Sequence, residues 1–337
     1  MGSSILTVKA KAYGGARHCG QMSGWRMGDL DMSSKLVLML APVLLLGGTR
    51  FLAAQAGENF PAEQGYTVTN DVTYTTGVQG PLKADVYIPN GKGPFPGIVF
   101  IHGGGWKNGN RNQMVKLIQV LAEDGYVGFT IEYDVDPVHF PASFHESLAA
   151  VKFFREHAAE YHLDPSRVAV AGSSAGGELA ALVALDPEGL QFDKTPVRSE
   201  AKPGTSSVVQ AALILNGALD LTAQGDAPST SVSDYLGGSC EALAHECKDA
   251  SPQFHVHAGA PPFYVGHGTM DQTVPFAEAV AFTDALKAAK VTVQFFQAEG
   301  GKHTFWADPK FHAENLEAMK AFLGQHLRAK DQKIAAK

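Results

Sequence analysis

The sequence predicts a doubly wound, mostly parallel α/β sheet with helices on both faces and a small lid or insert region. Three observations predict it. Strand patterns alternate with helical ones from about residue 64 to 328, as parallel βαβ units require. The strand at 97–101 is a continuous apolar run, and that at 167–171 reads as another buried strand, as expected where helices cover both faces. The 337-residue chain is 45% hydrophobic and 18% charged, enough for one large core and too apolar for disorder over most of its length.

The elements follow in order. Residues 66–74 and 81–88 alternate with period two and are joined by a Gly-containing turn at 77–80, which reads as a strand pair. The buried strand at 97–101 precedes a helix at 114–124 and a strand at 126–133. Phe144, Leu148, Val151, Phe154 and Ala158 recur at helical spacing, and Leu163-Asp164-Pro165 ends that run. The strand at 167–171 leads into a helix at 178–185. Strands at 209–215, 262–266 and 291–297 then alternate with helices at 276–289 and 311–327. The stretches 186–207 and 219–258 are long and poor in pattern, and excursions of that length in a compact domain are usually functional loops or a lid.

The first residues differ from the rest. Residues 1–31 show no sustained period and read as an upstream extension. From Met32, Ser33-Ser34-Lys35 leads into an apolar core at 36–48, and Ala54-Gln55-Ala56 supplies small residues at A-x-A spacing. That is the anatomy of a secretory signal peptide over 32–56. Its core falls short of the roughly 20 residues of a membrane-spanning helix. The expectation is an exported protein, periplasmic or secreted, with no stable membrane span in the mature chain and one domain over 57–337. A short anchor or a buried N-terminal helix is the other reading.

Charge and cysteines exclude further classes. Lys+Arg 27 against Asp+Glu 34 gives a net charge of −7 with no dense basic run, so no nucleic-acid partner is expected. Cys19, Cys240 and Cys247 form no CxxC, which argues against a thiolate metal site. Export would let Cys240 and Cys247 pair as a disulfide. Two separate thiols remain the alternative.

Four motifs carry the chemistry. Gly172-Ser173-Ser174-Ala175-Gly176 is G-x-S-x-G between a strand and a helix, a setting that strains and exposes a nucleophilic serine. His102-Gly103-Gly104-Gly105-Trp106 follows another strand, and its bared amides suit a tetrahedral oxyanion. His102 itself reads as a brace for that loop. Asp271, in the run from Gly266 to Pro275, and His303, in Gly300-Gly301-Lys302-His303-Thr304-Phe305, each lie just past a strand. Either residue alone is commonplace among the acidic turns and 13 histidines of the chain. The order Ser, Asp, His on the proper connections is the specific signal.

These residues together, HGGGW at 102–106, GSSAGG at 172–177, HGTMDQTVP at 267–275 and KHTF at 302–305, resemble the α/β-hydrolase superfamily. The nearest likeness is to HGGG-type esterases and lipases, of the hormone-sensitive-lipase-like or feruloyl-esterase-like branches. It covers about 66–328. Ser173 stands where hormone-sensitive-lipase-like enzymes commonly carry Asp, and Glu146 where many carry Asp. The resemblance implies a serine carboxylic-ester hydrolase in which Ser174 attacks, His303 relays the proton and Asp271 holds the ring. The amides of Gly104, Gly105 and Ala175 would form the oxyanion hole, with no metal or organic cofactor.

Trp106, Tyr133, Phe305 and Trp306 lie beside the motifs and are the expected lining of an acyl or aryl pocket. Short-chain acyl or aryl esters are the expected substrates, as small molecules or linked to polysaccharide. Two other readings stand against this one. A serine peptidase of the same fold usually builds its oxyanion hole without an HGGG loop. A non-catalytic binding protein on this scaffold normally loses a triad residue, and here all three are present.

Overall fold

The computed structural model describes residues 65–189, 200–223 and 231–328. The readings of 1–31 as an extension and 32–56 as a signal peptide lie outside the described residues.

An eight-stranded sheet runs through the described residues in the order β1-β2-β4-β3-β5-β6-β7-β8. The hairpin of β1 (Tyr66–Thr76) and β2 (Pro81–Pro89) is antiparallel, and β2 joins β4 (Val127–Ile131) in the same sense. From β4 inward every pair is parallel: β3 (Phe95–Ile101), β5 (Leu163–Ser173), β6 (Ala211–Leu215), β7 (Phe263–Gly268) and β8 (Val293–Ala298). The chain leaves β3 for β4 on one side and then returns to place β5 on the other. The strand order therefore reverses between β3 and β5, and ligands of open α/β sheets bind at the carboxyl ends of strands beside such a switch point.

Side-chain alternation splits the core in two. Val99, Ile101, Val168 and Val170 face one cluster, built with α2 (Ala142–Glu156), α3 (Ala175–Leu185) and α6 (Phe276–Ala288). Ile98, Phe100, Ala169 and Ala171 face the other, built with α1 (Val115–Glu123) and α7 (Pro309–His326). Both faces are thus covered, which is why 97–101 and 168–171 read as apolar runs. Helix α3 is buried along its whole length, so it lacks an amphipathic period. Helix α7 begins at Pro309 because the Asp308 carboxylate caps the Lys310 amide at 2.9 Å.

Two boundaries differ from expectation for a physical reason. The helix expected from 178 opens at Ala175, since the Ser174 carbonyl already accepts from the amides of Gly177 and Glu178. The strand expected over 167–171 runs from Leu163 to Ser173, held by parallel pairing to β3 on one side and β6 on the other. Part of the patternless stretch 219–258 is ordered as two short helices, α4 (Ser231–Leu236) and α5 (Ala244–Asp249), with 3-10 turns at Leu221–Ala223 and Pro252–His255. A disulfide joins Cys240 to Cys247 there. Among the described residues, no helix is long and apolar enough to cross a membrane.

Candidate active site

Ser174 sits on the turn between β5 and α3 with φ 57° and ψ −124°, a left-handed conformation costly for a residue with a Cβ. Tight packing enforces it. A Cβ at Gly176 would strike the carbonyls of Ile101 and His102, so the helix can approach β3 only with glycine there. The Ser174 amide donates to the Leu215 carbonyl of β6 at 3.0 Å. The hydroxyl is thereby held at the N-terminus of α3, where the helix dipole favours negative charge.

The structure brings the other two motif residues to it. Ser174 Oγ lies 2.9 Å from His303 Nε2, and His303 Nδ1 lies 2.7 Å from Asp271 Oδ2. With the proton on Nδ1, the ring donates to the carboxylate and presents Nε2 to accept from the serine. Asp271 is fully buried, and its other oxygen accepts from the amides of Thr273 at 2.8 Å and Val274 at 3.0 Å. His267 Nε2 also reaches Asp271 Oδ2, at 3.2 Å. Burial alone would raise the Asp271 pKa. Hydrogen bonds from His267, His303, Val274 and Thr273 outweigh that and hold the carboxyl well below the usual range.

The HGGGW loop lies opposite. Gly104 has φ +130°, and a Cβ there would strike the Asn108 carbonyl, so the loop depends on glycine. Gly104, Gly105 and Ala175 line the same cavity as Ser174 and His303, a space of about 720 Å³. All three residues expected to form the oxyanion hole therefore border the cavity that Ser174 lines. His102 braces the loop from behind, with Nδ1 donating to the Gly103 carbonyl at 2.7 Å and its ring stacked on Tyr133 at 4.3 Å. Burial lowers its pKa, keeping it neutral.

Of the four aromatics expected in the pocket, Trp106 and Trp306 line the cavity. Tyr133 and Phe305 do not, and that expectation is corrected. Tyr133 lies behind the loop, where its hydroxyl donates to the His102 carbonyl at 3.0 Å. Phe305 turns inward to stack on Phe296 in the core shared with α7. Proximity to a motif in sequence does not decide which way a side chain leaves the backbone.

Sequence reasoning missed three residues here. Glu178, buried in α3, accepts from the Trp106 indole at 3.0 Å. It was visible as the lone carboxylate of an otherwise apolar helix, one turn past Ser174. Asn216, just past β6 with φ 43°, places Nδ2 3.3 Å from His303 Nε2, against the ring. A polar residue at the carboxyl end of an apolar strand was its signal. His267 stood inside a quoted motif without being given a role.

The chain is similar to known esterases over most of its described length. A family model described as BD-FAE matches residues 84–286. The probable carboxylic ester hydrolase LipM of Mycobacterium tuberculosis is 34% identical over 221 residues, 63% of this chain and 50% of LipM. Esterase LipQ of the same organism is 31% identical over 242 residues, 68% of this chain and 55% of LipQ. The chain spans about half the length of these curated relatives. Among solved structures, the native Est2 esterase of Thermogutta terrifontis is 29% identical with a TM-score of 0.67, covering 80% of this chain and 95% of that one. The same esterase is also known with butyrate and with propionate bound. The likeness shows an α/β-hydrolase fold.

Proposed function

The chain belongs to the BD-FAE family, and from that premise we propose that it is a serine carboxylic-ester hydrolase working through an acyl-enzyme. One observation carries the reading: Ser174 Oγ, His303 and Asp271 form a continuous hydrogen-bonded chain at 2.9 and 2.7 Å, beside a cavity that Gly104, Gly105 and Ala175 also line.

In this reading His303 Nε2 accepts the Ser174 proton as Oγ attacks the ester carbonyl. The buried, charged Asp271 stabilises the imidazolium that results. Negative charge on the carbonyl oxygen forms beside the Gly104, Gly105 and Ala175 amides and the positive end of α3. His303 then returns the proton to the leaving alcohol. Water, deprotonated by the same ring, releases the acid.

Short acyl esters, free or linked to polysaccharide, are the substrates we propose. The cavity is of small-ligand size, and a relative has been captured with butyrate and propionate. We read the protein as exported, on the strength of the 32–56 pattern and the Cys240–Cys247 disulfide, which suits an oxidising compartment. N-terminal sequencing of protein recovered outside the cytoplasm tests that, and an intact Met1 would sink it.

The deciding experiment is hydrolysis of p-nitrophenyl esters by the full chain and by Ser174→Ala, with fluorophosphonate labelling of both. The expected outcome is labelling of the wild type alone and a loss of at least about 10³-fold in kcat for the variant. Equal turnover by the two proteins would end the proposal.

A further inference from the structure

Two tryptophans line the catalytic cavity, and they are held very differently. The Trp106 indole is bonded to Glu178 and stacked face to face on Tyr235, with ring centroids 4.4 Å apart. The Trp306 indole N–H is buried with no hydrogen-bond partner. Its main chain, by contrast, is pinned: the Trp306 carbonyl accepts from His312 Nδ1 at 3.0 Å, inside a 3-10 turn at Phe305–Ala307. The backbone of this residue is fixed while its side chain is tied by no polar contact.

A second hollow, of about 390 Å³, is lined by Trp306 together with residues of α1 and α7. Leu117, Met319, Ala313 and Pro309 give it an apolar lining, with Lys116 at the α1 side. Trp306 is the one residue common to the linings of this hollow and of the catalytic cavity. A buried indole N–H without a partner is unusual and costly. A mostly apolar hollow that shares Trp306 with the cavity of the candidate nucleophile is a place for substrate to extend.

We propose that the hollow lined by α1 and α7 is a second substrate subsite, which takes an extended apolar substituent of the ester, and that the Trp306 side chain sets how far substrate reaches into it from Ser174. This deepens the esterase reading and rests on it. The substituent belongs either to the acyl group or to the alcohol, and both present the same hydrocarbon surface. Each methylene that becomes buried favours binding by roughly fourfold. Shortening Trp306 therefore changes the ratio of long-substrate to short-substrate efficiency, whatever happens to the absolute rate.

The test uses the full chain with Trp306→Ala, Trp306→Phe and the double variant Trp306→Ala/Ala313→Phe, which refills the hollow from an exposed position on α7. Two substrate series are measured: p-nitrophenyl esters from acetate to decanoate, and acetate esters of alcohols from methanol to octanol. Trp306→Ala is expected to raise the kcat/KM ratio of the eight-carbon to the two-carbon acyl ester, or of octyl to methyl acetate, at least about tenfold. Trp306→Phe should give a smaller rise, and the double variant should return the ratio toward wild type. A rise in the acyl series assigns the hollow to the acyl group, and a rise in the alcohol series assigns it to the leaving alcohol. Unchanged ratios in both series, with wild-type ester turnover intact, overturn the subsite. A rise that Ala313→Phe fails to reverse overturns it too, because the extra hydrocarbon then lies elsewhere. Absence of serine-dependent turnover in the wild type overturns the esterase reading, and this inference with it.

Discussion

Glu178 Oε2 accepts a hydrogen bond from Trp106 Nε1 at 3.0 Å, linking the first turn of α3 to the HGGGW loop across 72 residues of sequence. The same carboxyl faces the Tyr235 hydroxyl of α4 at 3.5 Å. Burial raises the Glu178 pKa well above the carboxylate range, against the opposing pull of the bonds from Trp106 and Tyr235, so the group is held neutral. A neutral acid, an indole and a phenol thus fasten the glycine loop to the helix that follows Ser174. Glu178→Leu would leave the buried Trp106 indole unpaired, at about 1–3 kcal/mol, and remove one contact of Tyr235. We expect it to lower the melting temperature and to reduce kcat about tenfold. Glu178→Gln, nearly isosteric with the neutral acid, should keep both close to wild type. Circular dichroism melts and ester kinetics check this, and equal losses in the two variants would remove the hydrogen-bonding explanation.

Asp271 presents one oxygen to two histidines and the other to two amides, and it is charged in the folded protein. In Asp271→Asn the amide group can donate where the carboxylate accepts, which favours the His303 tautomer with its proton on the serine side. The fold should survive, because the two amide contacts need only an oxygen. The expected result is a kcat lower by about 10³–10⁴ with little change in KM. A variant retaining a tenth or more of wild-type kcat would show that Asp271 is not the group that orients His303.

Gly104 is the loop position where a methyl group is least tolerable. It combines φ +130° with a neighbouring carbonyl in the space a Cβ would fill. Gly104→Ala must therefore shift the loop and its amide away from the serine. Loss of one oxyanion donor costs about 10²–10³ in kcat. That range, with fluorophosphonate labelling slowed but not abolished, is the expected outcome of stopped-assay kinetics on this variant.

That Ser174, Asp271 and His303 come together was legible in the sequence for a topological reason. Ser174 directly follows a strand, Asp271 and His303 lie in the loops just past two others, and parallel strands deliver all their carboxyl ends to one edge of the sheet. Only chain order and strand ends had to be read. Contacts between elements of unknown orientation were not legible. The stacking of Trp106 on Tyr235 depends on how α4 packs, and the 219–258 stretch carries no period from which to read that. Tyr133 and Phe305 show the same limit at closer range. Both adjoin site elements, yet one lies behind the glycine loop and the other points into the core. Local pattern decides whether a side chain is buried, but tertiary packing decides against what.

Glu146 on α2 gives the protein a specific dependence of stability on pH. Its Oε2 accepts from the Asp134 amide at 2.8 Å, and the Asp134 carboxylate in turn accepts from the amides of Val78 and Gln79. Burial pushes the Glu146 pKa up to about 8; the Asp134 amide pulls it down, and the Asp134 charge adds to the rise. In the unfolded chain the group titrates near 4.5. The folded state therefore holds a proton that the unfolded state gives up. Its contribution to stability is fully present below about pH 4.5 and is lost progressively as the pH rises through about 8. Glu146→Gln keeps an oxygen for the Asp134 amide and removes the titration. The melting temperature of the variant minus that of the wild type should therefore grow from pH 5 to pH 8, by several degrees in total, and level off above pH 9. A difference that stays constant across that range would mean that Glu146 is ionised in the folded protein.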